Sequence, residues 1–335
     1  MQRRFNFLPG LFLCYLSLAA LVFLATSIED ALRPKPSAVW GVTFLPSYAE
    51  YLGADPQATL TALLDDLKVR HFRLTIPWDR AEPSREQFSF SEIEWQLDEL
   101  KKRGADAVVA IGRRTPRWPE CHDPEWIKDL SLEEQDEATL NFLKEAVTRL
   151  RDRPEIIAWQ VENEPFLSVF GLCPTRLSRN FFDQELKLVS SLDDSRPIMT
   201  TDSGELSTWF SASSRLKLLG ISIYKETYNR FFGKIIYPLP PAFYRRHAEL
   251  VRALFGTKVI VSELQAEPWS GQALPTEPIE AQIAQMDPAK LKHLLEFARA
   301  TGFDRFYLWG AEWWFTLKEK GRADLWETVR PVFAD

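Results

Sequence analysis

The sequence predicts an α/β fold, a (β/α)8 TIM barrel preceded by an N-terminal transmembrane or signal helix, on three observations. Eight short apolar or β-branched runs alternate with longer segments whose apolar residues recur at three- and four-residue spacing, the pattern of parallel strands joined by crossover helices. Eight such units are the number that closes into a barrel. No G-x-G-x-x-G turn follows the first run, where the chain reads GVTFLPSYAEYLG, so an open doubly wound sheet is the weaker alternative.

In chain order, Arg3 and Arg4 precede the uncharged run FLPGLFLCYLSLAALVFLATSI, about twenty residues and long enough to span a bilayer as a helix. The apolar region of a signal peptide is usually about 7 to 15 residues. The greater length favours an uncleaved anchor over residues 1–28, although Ala25 and Ser27 offer a small-x-small cleavage pattern. In either case the positive end stays inside and the bulk of the chain is exported, which makes the protein extracytoplasmic, with the membrane as a partner through this segment. EDALRPKPS, residues 29–37, is a linker, and 38–335 is the barrel domain.

The barrel strands fall in AVWGVTFLP, HFRLTIPW, DAVVAIG, IIAWQVENEP, PIMTTDSG, LLGISIY, KVIVSELQ and RFYLWGAEWW. Helices such as EIEWQLDELKKRG, FYRRHAELVRALFG and AKLKHLLEFARATG lie between them and end at Gly104, Gly256 and Gly302, as helix C-termini commonly do. The segment KETYNRFFGKIIYPLPP after the sixth strand shapes one wall of the cleft.

Hydrophobic residues make up 45% and charged residues 26% of the 335, which excludes a disordered chain. A net charge of -6 excludes a polyanionic partner such as nucleic acid, whose binding draws on a basic surface. Cys14 sits in the apolar run, leaving Cys121 and Cys173 in polar loops; they could form one disulfide or be unrelated thiols. The four His residues, 71, 122, 247 and 293, are scattered and fit no zinc spacing, so neither metal nor cofactor is expected.

The chemistry lies at the strand ends. The fourth strand carries Glu162, Asn163 and Glu164 out of an apolar run, and in such barrels the strand C-termini form the active-site mouth. The seventh strand ends in Glu263. Two carboxylates across one cleft without a metal suit glycosidic bond cleavage, one protonated to release the leaving oxygen and the other ionised to attack. Their proximity splits the two roles by raising the pKa of one. Arg73 on the second strand is placed to keep Glu263 charged, or is a structural ion-pair partner; Tyr224, ending the sixth, can donate to the same carboxylate. Glu162 shares the parity of Glu164 and competes with it as the acid, and Glu267, beside Pro268, competes with Glu263. Among the twelve Trp residues, Trp159 and Trp95 fall on a strand and a helix and are core. Trp78, Trp118, Trp309 and Trp314 lie at or beyond strand ends, where sugar faces can stack, Trp309 foremost.

WQVENEP and VIVSEL, with FRLTIPWDRAEP and FSF at the second strand, Tyr at the sixth and Trp at the eighth, resemble the clan A glycoside hydrolases, retaining (β/α)8 enzymes. The resemblance covers nearly all of residues 38–335. It implies that Glu164 is the acid/base and Glu263 the nucleophile, with Asn163 a donor to the sugar 2-hydroxyl and Tyr224 and Arg73 partners of the nucleophile. Many relatives carry a His near the end of strand three, whereas this chain has Arg113 and Arg114 in IGRRTPRWPE, a departure that points to an anionic or unusual sugar. The expected function is retaining hydrolysis of β-glycosidic bonds in an extracytoplasmic oligo- or polysaccharide. A transglycosylase using the same residues, or a non-catalytic barrel that binds glycan or protein, is the alternative.

Overall fold

Parallel strands form at all eight apolar runs. They are β1 (Val39–Thr43), β2 (His71–Thr75), β3 (Asp106–Ile111), β4 (Ile156–Val161), β5 (Ile198–Asp202) and β6 (Leu218–Ile223), followed, after a hairpin of β7 (Glu226–Asn229) and β8 (Gly233–Ile236), by β9 (Lys258–Gln265) and β10 (Arg305–Trp309). The eight barrel strands hydrogen-bond in the closed order β1-β10-β9-β6-β5-β4-β3-β2. The seventh and eighth barrel strands are therefore β9 and β10. This computed structural model describes residues 37–167, 171–173, 177–229 and 231–334. The apolar N-terminal run lies outside the described residues, as does all of the linker but Ser37. Among the described residues no helix is long and apolar enough to cross a membrane.

The helices begin where the sequence supplies caps. Asp55 accepts from Ala58 N at 2.7 Å ahead of Pro56–Asp65, Ser131 and Glu134 form a reciprocal capping box at the start of Leu132–Leu150, and Asp287 caps Pro288–Thr301. Each satisfies donors that the first helical turn leaves open. Gly256 and Gly302 end their helices in the left-handed region, at φ 70° and 80°. The apolar run of the eighth strand is shorter than its sequence suggests. Gly310, at φ 136°, stops β10 after Trp309, and the residues that follow form the helix Ala311–Glu319, so Trp313 and Trp314 are helical. The stretch after β6 holds the β7–β8 hairpin, antiparallel from Glu226↔Ile236 to Asn229↔Gly233.

Strand alternation divides the core in two. One set of side chains packs the strands against the helices; the other, Val108, Ala158, Met199, Ile260 and Tyr307, fills the inside of the barrel. A Cβ on Gly41 would lie 2.8 Å from the Tyr307 ring and 2.4 Å from His71 O, so only glycine on β1 leaves room for that ring. With apolar residues plugging this end, the polar inward positions of β2, β4 and β9 collect at the other. That is the end where the strands terminate and the loops can present reactive groups.

Candidate active site

The backbone changes hand where β4 ends. Glu162 and Glu164 both adopt positive φ, 61° and 43°, a region that costs a non-glycine residue of order 1–3 kcal/mol and is populated where a site demands it. The period-two parity between the two is thereby broken. The Glu162 carboxylate is fully buried and accepts the backbone N–H groups of Arg113 and Arg114, each at 2.8 Å. Gly112 is required beside it, since a Cβ there would lie 2.3 Å from Glu162 Oε1. Glu162 therefore anchors the loop after β3, and Glu164 is left as the β4 carboxyl at the mouth.

Arg73, buried on β2, connects the rest. Its Nε donates to Gln160 Oε1 at 2.8 Å, Nη1 to Glu263 Oε1 at 2.7 Å and Nη2 to Asn163 Oδ1 at 2.7 Å. The other Glu263 oxygen accepts from Tyr224 Oη at 3.0 Å. A carboxylate is the form that accepts at both oxygens, and this one is 6% exposed. The Tyr224 hydroxyl is held well above its usual pKa by burial and by the Glu263 charge, so it stays a donor. Asn163 is fixed through its Oδ1, which also accepts from Thr201 Oγ1 at 2.7 Å and Gln160 Nε2 at 3.2 Å.

Glu164 has the opposite surroundings. Its backbone N–H donates to Thr201 Oγ1 at 2.8 Å, and Ser222 Oγ donates to Oε1 at 3.3 Å. No salt bridge reaches its carboxyl among the described residues. It is 8% exposed. Burial, then the charges of Glu263, Glu120 and Asp202, push its pKa well above the ordinary carboxylate value, against a smaller opposing effect of Arg114. Of two nearby glutamates in one mouth, a guanidinium is thus given to one and withheld from the other.

The remaining candidates divide. Trp159, Trp78 and Trp314 are fully buried, and each donates its indole N–H to a protein oxygen, on Asp193, Glu82 and Ala266 respectively; Trp95 is half-buried against the core. Trp118 is 60% exposed in the loop after β3. Trp309 is buried, and the Arg117 guanidinium lies over its ring at 4.0 Å, with the Tyr48 ring at 3.5 Å from the same guanidinium. Arg117 is ion-paired to Glu267 and Glu312, so Glu267 serves Arg117 while Glu263 belongs to the Arg73 network. Arg113 is paired with Asp123, and Arg114 donates to Asn163 O at 2.9 Å; both guanidiniums bond protein groups. Cys121 and Cys173 form a disulfide with Cα atoms 5.2 Å apart, which ties the loop after β3 to the loop after β4.

Sequence reasoning missed Glu120, Thr201, Gln160 and the Tyr48–Arg117–Glu312 cluster. Thr201 was findable, because it stands at the end of β5 and the strand-end rule that picked out Glu164 applies to it. Glu120 and Arg117 lie in an irregular loop at φ 74° and 88°, where no periodic pattern reports side-chain direction. Among the described residues no group of three or more His, Cys, Asp or Glu is placed to hold a metal ion. A cavity of about 720 Å³ lies at the N-terminal ends of the strands, lined among others by Ile157, Leu218, Lys258 and Arg305, away from both glutamates.

No protein-family model and no curated protein matches the sequence. Solved structures do. GH5_18 from Bifidobacterium longum superposes with a TM-score of 0.58 at 14% identity, covering 82% of this chain and 70% of that one, and a further structure of that enzyme is a complex with Manβ1-4GlcNAc. An endo-β-1,4-xylanase of glycoside hydrolase family 10 from Gloeophyllum trabeum gives 0.54 at 16% identity over 82% and 87%. An exo-β-1,4-mannosidase from an Opitutaceae bacterium gives 0.57 at 15% identity over 81% and 51%. The chain has the barrel fold of glycoside hydrolases. At these identities the likeness concerns the fold, and the chemistry rests on the side chains described above.

Proposed function

We propose that this chain is a retaining glycoside hydrolase acting on β-glycosidic bonds of an extracytoplasmic oligo- or polysaccharide, with Glu263 as nucleophile and Glu164 as acid/base. One observation carries the reading: Glu263 accepts hydrogen bonds from a guanidinium and a phenol, while Glu164, electrostatically linked to it, is buried without an ion-paired cation and its pKa is pushed well above the ordinary carboxylate value. In the first step a Glu263 oxygen attacks the anomeric carbon as Glu164 passes its proton to the leaving oxygen. The glycosyl ester so formed is neutral, which removes the largest charge acting on Glu164 and lets its carboxylate persist. In the second step that carboxylate takes a proton from water, the water oxygen bonds to the anomeric carbon, and Glu263 leaves as carboxylate.

Trp118, exposed in the loop after β3, offers a ring face to saccharide bound further out. Trp309 carries Arg117 on one face, so a sugar can stack only on the other. The disulfide and the apolar N-terminal run support an exported protein, tethered if that run is retained.

The test is turnover of a panel of aryl β-glycosides by wild type, Glu164→Gln and Glu263→Gln, with the first-formed anomer identified by proton NMR. The reading expects retention in wild type and loss of nearly all turnover in Glu263→Gln. An inverted product contradicts it. Transfer of most of the product to an added acceptor sugar indicates a transglycosylase, and a glycan-binding function kept by both variants indicates a non-catalytic barrel.

A further inference from the structure

A third carboxyl group lies in the mouth and has no part in the two-step chemistry. Glu120 sits in the loop after β3, held by its own N–H to Arg117 O at 2.8 Å and by Thr115 N–H to its carbonyl at 2.9 Å. It is next in the chain to Cys121 of the disulfide, and Gly171, in the loop after β4, packs so closely on it that a Cβ there would lie 2.9 Å from Glu120 Cβ. The side chain is buried, and its backbone is in the left-handed region. The structure thus holds Glu120 in a costly conformation that aims its carboxyl at Asn163. Glu120 Oε2 accepts from Asn163 Nδ2 at 2.9 Å. No hydrogen bond from the described residues occupies Oε1.

The position relative to the nucleophile follows from Arg73. Its two terminal nitrogens bind Glu263 Oε1 and Asn163 Oδ1, so the Asn163 amide, and Glu120 beyond it, flank the Oε1 side of Glu263, while Tyr224 flanks the Oε2 side. A sugar whose anomeric carbon meets Glu263 has two ring neighbours to place, the ring oxygen and carbon 2. The ring oxygen becomes positive in the oxocarbenium-like transition state and is disfavoured beside a donor whose hydrogen is unspent, whereas the Tyr224 hydrogen is spent on Glu263 Oε2. Carbon 2 carries a hydroxyl that both donates and accepts. The Asn163–Glu120 side therefore suits carbon 2.

We propose that Glu120 is a substrate-contacting, specificity-determining residue that binds the 2-hydroxyl of the sugar attacked by Glu263, and so selects β-glycosides with a free 2-hydroxyl over 2-deoxy and 2-acetamido sugars. This rests on the glycoside hydrolase reading above. Burial, followed by the Glu263 charge, raises the Glu120 pKa to about 8, which favours the carboxylic acid over the carboxylate. The oxygen bonded to Asn163 serves as acceptor, and Oε1–H, which no described residue engages, is offered to the sugar. The facing groups are Glu263, Glu164, Asn163, Arg114 and Arg73. A 2-acetamido group would have to displace a side chain clamped by the disulfide-tied loops.

The experiment measures kcat/KM of wild type, Glu120→Gln and Glu120→Ala on a matched pair of aryl β-glycosides, one with a 2-hydroxyl and one 2-deoxy. A lost hydrogen bond of this kind is worth roughly 10- to 100-fold. Glu120→Ala is expected to lose about that factor more on the 2-hydroxy substrate than on the 2-deoxy one, and to gain on a 2-acetamido substrate. Glu120→Gln, nearly the same shape and still a donor, is expected to retain more of the 2-hydroxy preference than Glu120→Ala, and it serves as the folded comparison if the alanine variant melts out. Equal losses on both substrates in both variants overturn the proposal and leave the hydrolase reading standing. Absence of turnover of any glycoside by wild type overturns both.

Discussion

Replacing Arg73 with Met tests the arrangement at its centre. The methionine keeps much of the buried aliphatic volume but removes the hydrogen bonds to the Gln160, Glu263 and Asn163 side chains and the 3.4 Å one to Ser262 O. Asn163 Oδ1 retains Thr201 and Gln160 as donors, so two acceptors are orphaned, Gln160 Oε1 and Glu263 Oε1. A buried charge stripped of its partner costs about 3–5 kcal/mol and a neutral acceptor about 1–3 kcal/mol. Because neighbouring losses are not additive, the sum is an upper range. At about 2 °C per kcal/mol for a domain of this size, the variant should melt about 6 to 16 °C below wild type in a calorimetric scan, from the low end of the charge cost alone to the full sum. Its kcat/KM on an aryl β-glycoside should fall about 10- to 100-fold or further, since Glu263 loses the contact that orients it. Arg73→Lys keeps the charge but offers a compact point donor in place of the fork, and should recover part of the melting temperature but little of the rate. A methionine variant melting within about 2 °C of wild type, with a rate loss under about threefold, would refute the view that Arg73 organises the site.

Three further outcomes are expected. With Glu164 proposed as the acid of the first step and its pKa raised, kcat/KM should decline as pH rises through that elevated value, well above the ordinary carboxylate range; the decline should weaken for aryl leaving groups that need no proton, and a profile falling in the ordinary carboxylate range would contradict this. Glu120, with a folded-state pKa of about 8 against an unfolded value of about 4.3, favours folding below the lower value and loses that contribution as pH climbs to the upper one, so the stability of wild type relative to Glu120→Gln should fall between pH 5 and 8 in denaturant titrations. Removing the disulfide in Cys121→Ser/Cys173→Ser, across a sequence separation of 52, should cost up to ~4 kcal/mol in the chain-entropy account and lower activity by loosening the loop that carries Glu120, read by melting and by kcat/KM.

How far the site was legible follows from where each residue sits. Glu164, Glu263, Tyr224 and Arg73 lie on or just past strands, where period-two alternation and the rule that strand C-termini face the mouth convert a position into a direction. The structure brings all four together. The rule fails one residue beyond the strand, since Glu162 turns into the left-handed region and its apparent parity with Glu164 carries no information. It fails also for Glu120 and Arg117, whose placement depends on a loop tied by a disulfide to a second loop. Arg113 pairs with Asp123 and Arg114 donates to Asn163 O, so both guanidiniums also hold the loops, and the anionic or unusual sugar they suggest stays an expectation. Similarly, the aromatic content of GAEWW hid a helix start that Gly310 imposes.

The central claim is that Glu263 becomes bonded to the sugar. A 2-deoxy-2-fluoro aryl β-glycoside of the best-turned-over sugar slows both steps, and its good leaving group lets the covalent species accumulate. Peptide mass spectrometry of the inactivated protein should then find one fluoroglycosyl group, on Glu263. A label on Glu267 or Glu164, or an active enzyme that accumulates none, would contradict the account.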